Sequence, residues 1–186
     1  MVVKFIIKKG KELTDEELNV LNEWRVKEFH SKNLIKPVIG DDNWEKIYFL
    51  LLDKNNKALA FCRIHEVNIE FMDKEYRILG LATLISTIRG KGYGKRLASE
   101  MIKYVQDSGK TGIGFCNKIL TDYYRGIGFG IIEEGAQRFV YKNEKGKLLT
   151  NPWRGGDVIF IAGDDGLIKE ILNRPGEKVI TDRLHW

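Results

Sequence analysis

The hydrophobic positions of the chain switch between strand and helix periods several times. Val2 to Ile7 is rich in β-branched residues and weakly alternating, which predicts a first strand. Thr14, followed three residues later by Glu17, makes a capping box, and Leu18, Leu21, Arg25 and Phe29 fall at helical spacing. A first helix over about 15–29 follows. Ser31 to Trp44 holds Pro37, Gly40 and the pair Asp41 and Asp42, the composition of a loop or a broken helix. Ile47 to Leu52 and Ala58 to Ile69 are strand-like runs joined by the turn-favouring DKNNK, hence a hairpin. Beyond MDKE, Tyr76 to Thr87 is apolar on both faces in its second half, as a central fourth strand covered by helices should be.

Lys95 to Asp107 carries Leu97, Met101, Ile102 and Val105 on one face and stops at Ser108 and Gly109, which predicts an amphipathic helix. Thr111 to Cys116 reads as a fifth strand and Lys118 to Arg125 as a short helix, after which Gly126, Gly128 and Gly130 break the chain. Phe139 to Lys142 and Val158 to Ala162 complete the sheet, separated by the basic turn KNEKGK and the loop NPWRGG. An amphipathic turn, Leu167 to Leu172, precedes the tail that ends at Trp186. No repeat or linker interrupts the pattern, so residues 1–186 are expected to form a single α+β domain, one mixed sheet with helices on both faces.

Composition narrows the function classes. A chain of 186 residues with 43% hydrophobic and 31% charged residues can bury a core, which excludes a disordered tail and a disulfide scaffold. The longest strongly apolar run, IYFLLL, is far short of the roughly 20 residues of a membrane-spanning helix, so no membrane partner is expected. The N-terminal segment has lysines within and after its apolar stretch and reads as a strand rather than a signal peptide, which predicts a cytoplasmic address. Cys62 and Cys116 lie apart in apolar strands as reduced core residues, and His30, His65 and His185 are scattered, so no metal site is expected. A net charge of +5 raises the question of nucleic acid. The densest basic segment, Arg89 to Arg96, is interleaved with glycines rather than base-stacking aromatics, and it suits the phosphates of a small ligand at least as well.

That segment, IRGKGYGKR, joins the buried fourth strand to the start of a helix. Glycines let a ligand approach the backbone, and the unpaired amides of a first helical turn attract anions. Two phosphate loops fail here. A dinucleotide fingerprint would need a glycine where Leu97 stands, and a Walker loop would need four residues before its Gly-Lys and a Ser or Thr where Arg96 stands. The loop alone also leaves open a glycine-rich turn with no ligand.

Arg-x-x-Gly-x-Gly on Arg89, Gly92 and Gly94, then a strand, Asn117, and a short helix ending in Tyr124, Gly128 and Phe129, resembles the GNAT acetyltransferase superfamily over about 76–129. The resemblance implies the GNAT fold: a mostly antiparallel sheet splayed between its fourth and fifth strands, with acetyl-CoA as co-substrate. Backbone groups near Ala82 and Leu84 would then bond the pantetheine arm. The amides from Arg89 to Lys95, through Gly90, Lys91, Gly92 and Gly94, would hold the pyrophosphate, and Asn117 would meet the arm from the fifth-strand side.

Acyl transfer to an amine needs a proton for the leaving thiolate. The resemblance puts Tyr124 in the general-acid position, a role suited to a phenol with a reference pKa of about 10; a packed aromatic on an apolar helix face is the alternative. Many relatives carry a glutamate on the fourth strand where this chain has Gly80. Glu66, Glu70, Glu45 or an ordered water could remove the proton, or the amine could arrive neutral. NWEK at Asn43 to Lys46, EYRILGLATL, the Tyr124 block, DVIFI and Trp186 also resemble aminoglycoside 2'-N-acetyltransferases. That would make Asp41, Asp42, Glu45, Glu66 and the carboxylate of Trp186 a pocket for a cationic acceptor. The expected activity is therefore N-acetyl transfer to a primary amine of a small molecule, with a homodimer left open. Gly80 keeps a catalytically impaired CoA-binding domain as an alternative, and the basic pI a nucleic-acid module.

Overall fold

The computed structural model describes residues 3–30, 34–36, 38–39, 43–143, 145–150 and 155–183. The chain divides into two compact units, residues 1–65 with 82–101 and residues 66–81 with 102–186. Asp41, Asp42 and Trp186 lie outside the described residues.

In the first unit β1 (Lys4–Lys9) pairs antiparallel with β2 (Ile47–Leu52), which pairs antiparallel with the first half of β3 (Ala58–Phe71). Helix α1 (Asp15–Phe29) begins where the capping box predicts: Thr14 Oγ1 accepts from the Glu17 amide at 3.2 Å, and the Glu17 carboxylate accepts from the Thr14 amide at 2.8 Å. Its Leu21 packs on the sheet face made by Tyr48, Leu50, Phe61 and Ile85. Asn22 hydrogen-bonds both backbone groups of Ile35 and so draws the chain after α1 back onto the core. On the opposite face, the Cys62 thiol lies 3.6 Å from the Met101 sulfur of α2 (Tyr93–Asp107).

The second unit holds the strand order β6-β9-β5-β4-β3-β10-β7-β8. These are β4 (Lys74–Ser86), β5 (Gly112–Cys116), β6 (Gly130–Ile132), β7 (Phe139–Lys142), β8 (Leu148–Thr150), β9 (Asp157–Ile161) and β10 (Val179–Thr181). A two-residue turn of Met72 and Asp73, both at positive φ, joins β3 to β4. Only β4–β5 and β10–β7 run parallel among the registered pairs, so the sheet is mostly antiparallel and the α+β expectation holds. The β4–β5 ladder has three pairs, Leu79–Gly112 to Leu81–Gly114. Glycine is required at Gly112, where a Cβ would stand 2.9 Å from Val105 of α2. Helices α3 (Thr121–Ile127) and α4 (Leu167–Asn173) complete this unit, with Leu167 and Ile171 packed against Ile78, Ile113 and Phe139.

Three strands escape the sequence pattern: β6, β8 and β10. Each has three residues, too few to show a period of two. Gly130 opens β6 instead of merely breaking the chain, because a Cβ there would stand 2.2 Å from the Phe160 ring of β9. The expected helix over 118–125 is a 3-10 turn, Lys118–Leu120, followed by α3. Among the described residues no helix is long and apolar enough to cross a membrane.

Candidate active site

In the first unit the site is built around an irregularity in β4. Thr83 has φ +58°, a left-handed conformation that is strained for a β-branched residue. Strand counting explains it. From the turn, where Phe71 meets Lys74, the count sets Arg63 opposite Ala82; from the far end, where the Thr87 amide donates to the Leu59 carbonyl at 2.9 Å, it sets Cys62 opposite Leu84. Thr83 is the residue left over, a β-bulge that turns the backbone between Ala82 and Leu84 out of the regular ladder.

Beyond β4 the chain makes a bend and a turn over 87–92 and enters α2 at Tyr93. Gly90 and Gly92 both have φ +74°, and a Cβ at either would meet nothing within 4 Å, so the loop leaves open space beside its backbone. The Arg96 amide donates to the Gly92 carbonyl at 3.0 Å as the first helical bond, which leaves Gly94 and Lys95 amides in the turn whose N–H groups have no acceptor within the helix. Arg89, Lys91 and Lys95 are exposed around these amides and Gly94 is buried. Glu28 of α1 accepts from Arg89 at 2.5 Å. Two glycines at positive φ, first-turn amides and three cations form a donor set that fits a diphosphate.

In the second unit Asn117 is exposed and follows β5; its side-chain oxygen accepts from the Ile119 amide at 3.2 Å and caps the 3-10 turn. Asp157 on β9 is 3% exposed and anchors the next turn, accepting from Thr121 Oγ1 at the start of α3 and from the Glu134 amide at 2.8 Å. Burial, and after it the charge of Asp157, pushes the neighbouring Cys116 thiol up to about 11, so it stays protonated at neutral pH. Tyr124 is buried on α3, edge-to-face with Phe129 and Tyr123. Gly128, at φ +117°, ends the helix and the Phe129 amide returns to the Tyr124 carbonyl at 3.2 Å, which is the physical content of the Tyr-x-x-x-Gly-Phe spacing.

The candidate bases are held by cations. Glu66 accepts from Lys110 at 2.6 Å and from Arg77, and these partners, Lys110 foremost, hold its carboxyl below the usual carboxylate range. Hydrogen bonds from Lys9 and Lys11 do the same to Glu45. Glu70 lies 3.8 Å from the Lys142 ammonium. Gly80 is buried in β4 opposite Ile113. Sequence reading singled out none of Thr83, Glu28 and Asp157; only a β-branched residue in an otherwise regular strand could have hinted at the first, and that is no signal.

Solved structures share this fold at low identity. Escherichia coli ElaA is 19% identical, over 84% of this chain and 99% of that one, with a TM-score of 0.55. An acyl-CoA N-acyltransferase from Pseudomonas aeruginosa is 17% identical, over 87% and 100%, with a TM-score of 0.57. A CoA-dependent acyl-homoserine lactone synthase, BjaI, solved with SAM and isopentyl-CoA, is 11% identical, over 95% and 90%, with a TM-score of 0.56. No curated protein sequence matches the chain. The fold is thus one that this chain shares with an acyl-CoA N-acyltransferase. The model of the acetyltransferase (GNAT) family matches residues 17–129, and the chain belongs to that family.

Proposed function

We propose that this chain, acting over residues 1–186 as one acyltransferase domain, moves an acetyl group from acetyl-CoA directly to a primary amine of a small molecule. The observation that carries the reading is the loop of Gly90 and Gly92, open beside its backbone and feeding the first turn of α2. The amides from Arg89 to Lys95 bind the diphosphate, and the Thr83 bulge exposes the backbone groups of Ala82 and Leu84 to the pantetheine arm. Asn117 contributes a polar contact after β5. Acetyl-CoA supplies the acyl group as an activated thioester. Tyr124 gives its phenolic proton to the departing sulfur, a role supported by a phenol protonated at neutral pH and by its fixed packing against Phe129.

No carboxylate stands at the β4 position that Gly80 occupies, and Glu66, Glu45 and Glu70 each face a lysine. Deprotonation then falls to water or to an amine that binds neutral. The relative solved with isopentyl-CoA favours testing longer acyl groups alongside acetyl. The aminoglycoside reading loses support from Glu45, whose charge is spent on Lys9 and Lys11. Thiol release from acetyl-CoA and from longer acyl-CoAs, measured against aminoglycosides, polyamines, amino acids and peptides, tests the proposal. Absence of turnover with every amine, despite CoA binding, would leave a non-catalytic CoA-binding domain.

A further inference from the structure

Helix α3 has seven residues, well short of the length at which an isolated helix holds its own shape, so its place is set by what grips it. At its C-terminal end the grip is the Gly128 cap. At its N-terminal end Thr121 Oγ1 donates to Oδ2 of Asp157, and the other oxygen of that carboxylate, Oδ1, accepts from the Glu134 amide at 2.8 Å. Thr121 and Asp157 are both buried. The pairs of Lys118 with Glu134 and of Arg125 with Glu133 reach the same turn, but they are exposed and screened by water. Asp157 is the buried tie among these.

Burying a carboxylate gives up hydration that two neutral donors only partly replace, and Glu134 adopts φ +53°, a left-handed conformation unfavourable to a residue with a side chain. An apolar contact would hold the helix on the sheet without either cost, but it has no direction and would let the helix slide. Two hydrogen bonds to one carboxylate fix direction as well as distance. Their reach includes the residues assigned to the reaction. Cys116 stands opposite Asp157 in the β5–β9 ladder, so the turn over 117–120, with Asn117, is closed at both ends against one residue. Tyr124 follows Thr121 by three residues, close to one helical turn, and lies on the same buried side of α3.

We propose that Asp157, acting through Thr121, is a positioning residue of the reaction, which sets the depth and direction at which α3 presents the Tyr124 hydroxyl to the departing sulfur. The proposal rests on the acyltransferase reading above, with Tyr124 as its acid, and adds the residue that aims that acid. The test is a double-mutant cycle in the full chain, read as kcat for thiol release from acetyl-CoA with the best amine of the panel, with CoA affinity followed by calorimetry. Thr121→Val removes the donor and keeps the shape; it should lower kcat about tenfold and leave the KM for acetyl-CoA within about twofold, because a misaimed group loses rate rather than binding. Thr121→Ser keeps the hydroxyl and should retain at least about half of the wild-type kcat. With Tyr124→Phe there is no proton to aim, so Thr121→Val should lower kcat by less than about twofold further. Asp157→Asn, which turns an amide donor toward one of its two donors, should follow Thr121→Val and takes its place in the cycle if valine unfolds the chain. Equal losses in the two backgrounds, wild-type kcat in Thr121→Val, or serine no better than valine overturns the proposal and leaves the acyltransferase reading standing. Loss of folding and of CoA binding in both Thr121→Val and Asp157→Asn also overturns it, because Asp157 would then determine the fold rather than the aim. Full activity of Tyr124→Phe rejects the acid and this proposal with it, and absence of transfer to any amine fails the acyltransferase reading itself.

Discussion

The carboxylate of Glu28, in the last turn of α1, holds the guanidinium of Arg89 at 2.5 Å and so ties that helix to the glycine loop. Arg89 is 79% exposed and Glu28 22%, so the pair orients a cation more than it stabilises the fold. Glu28→Gln should change stability by about 0.5 kcal/mol or less, given the exposure of the arginine. Arg89→Gln should weaken CoA binding about tenfold, with a shallower salt dependence, by removing one charge from the anion site. Thermal melts and calorimetry at two salt concentrations check both outcomes.

Gly92 separates backbone strain from ligand contact. Its φ of +74° makes Gly92→Ala cost about 1 kcal/mol in stability through the left-handed backbone alone, since a Cβ meets no neighbour within 4 Å. Gly92→Glu adds a side chain and a negative charge where the diphosphate is proposed to sit, and CoA binding should disappear while the protein still folds. Retained affinity in Gly92→Glu would remove the loop from the site.

For Tyr124 the hydroxyl and the ring have different jobs. Tyr124→Phe keeps the edge-to-face contact with Phe129 and should lower kcat by about ten- to a hundredfold, the range of a lost general acid, with CoA affinity preserved. Tyr124→Ala empties a buried position and should cost about 3 kcal/mol or more in a denaturant titration. Full turnover by the phenylalanine variant rejects the acid role.

Glu66 carries a pH signature. Its carboxyl is held below its ordinary value of 4.5, chiefly by Lys110. The stabilisation is therefore fully present above about pH 4.5 and is lost as the pH falls through the lower folded value. With the side chain 44% exposed, screening keeps the effect to about 0.5 kcal/mol. Glu66→Gln should be slightly less stable than wild type at pH 7 and indistinguishable from it in acid. The same variant should leave the acidic limb of the pH–rate profile in place; loss or displacement of that limb would show Glu66 taking the amine proton.

Local patterns were legible without any coordinates. Thr14 and Glu17 set the start of α1, Ile47–Leu52 needed only its apolar run, and the order from β4 through the glycine loop to Gly128 carried the family resemblance. Capping, periodicity and glycine turns act over a few residues, so the chain writes them in one place. The bulge at Thr83, the pairing of Tyr48 with Arg63 across β2 and β3, the anchoring of α3 by Asp157 and the pairing of Glu66 with Lys110 depend on strand register and on residues distant in the chain. Register is a property of the packed sheet, and a slip of one residue would turn Arg63 to the other face; only the tertiary structure decides it.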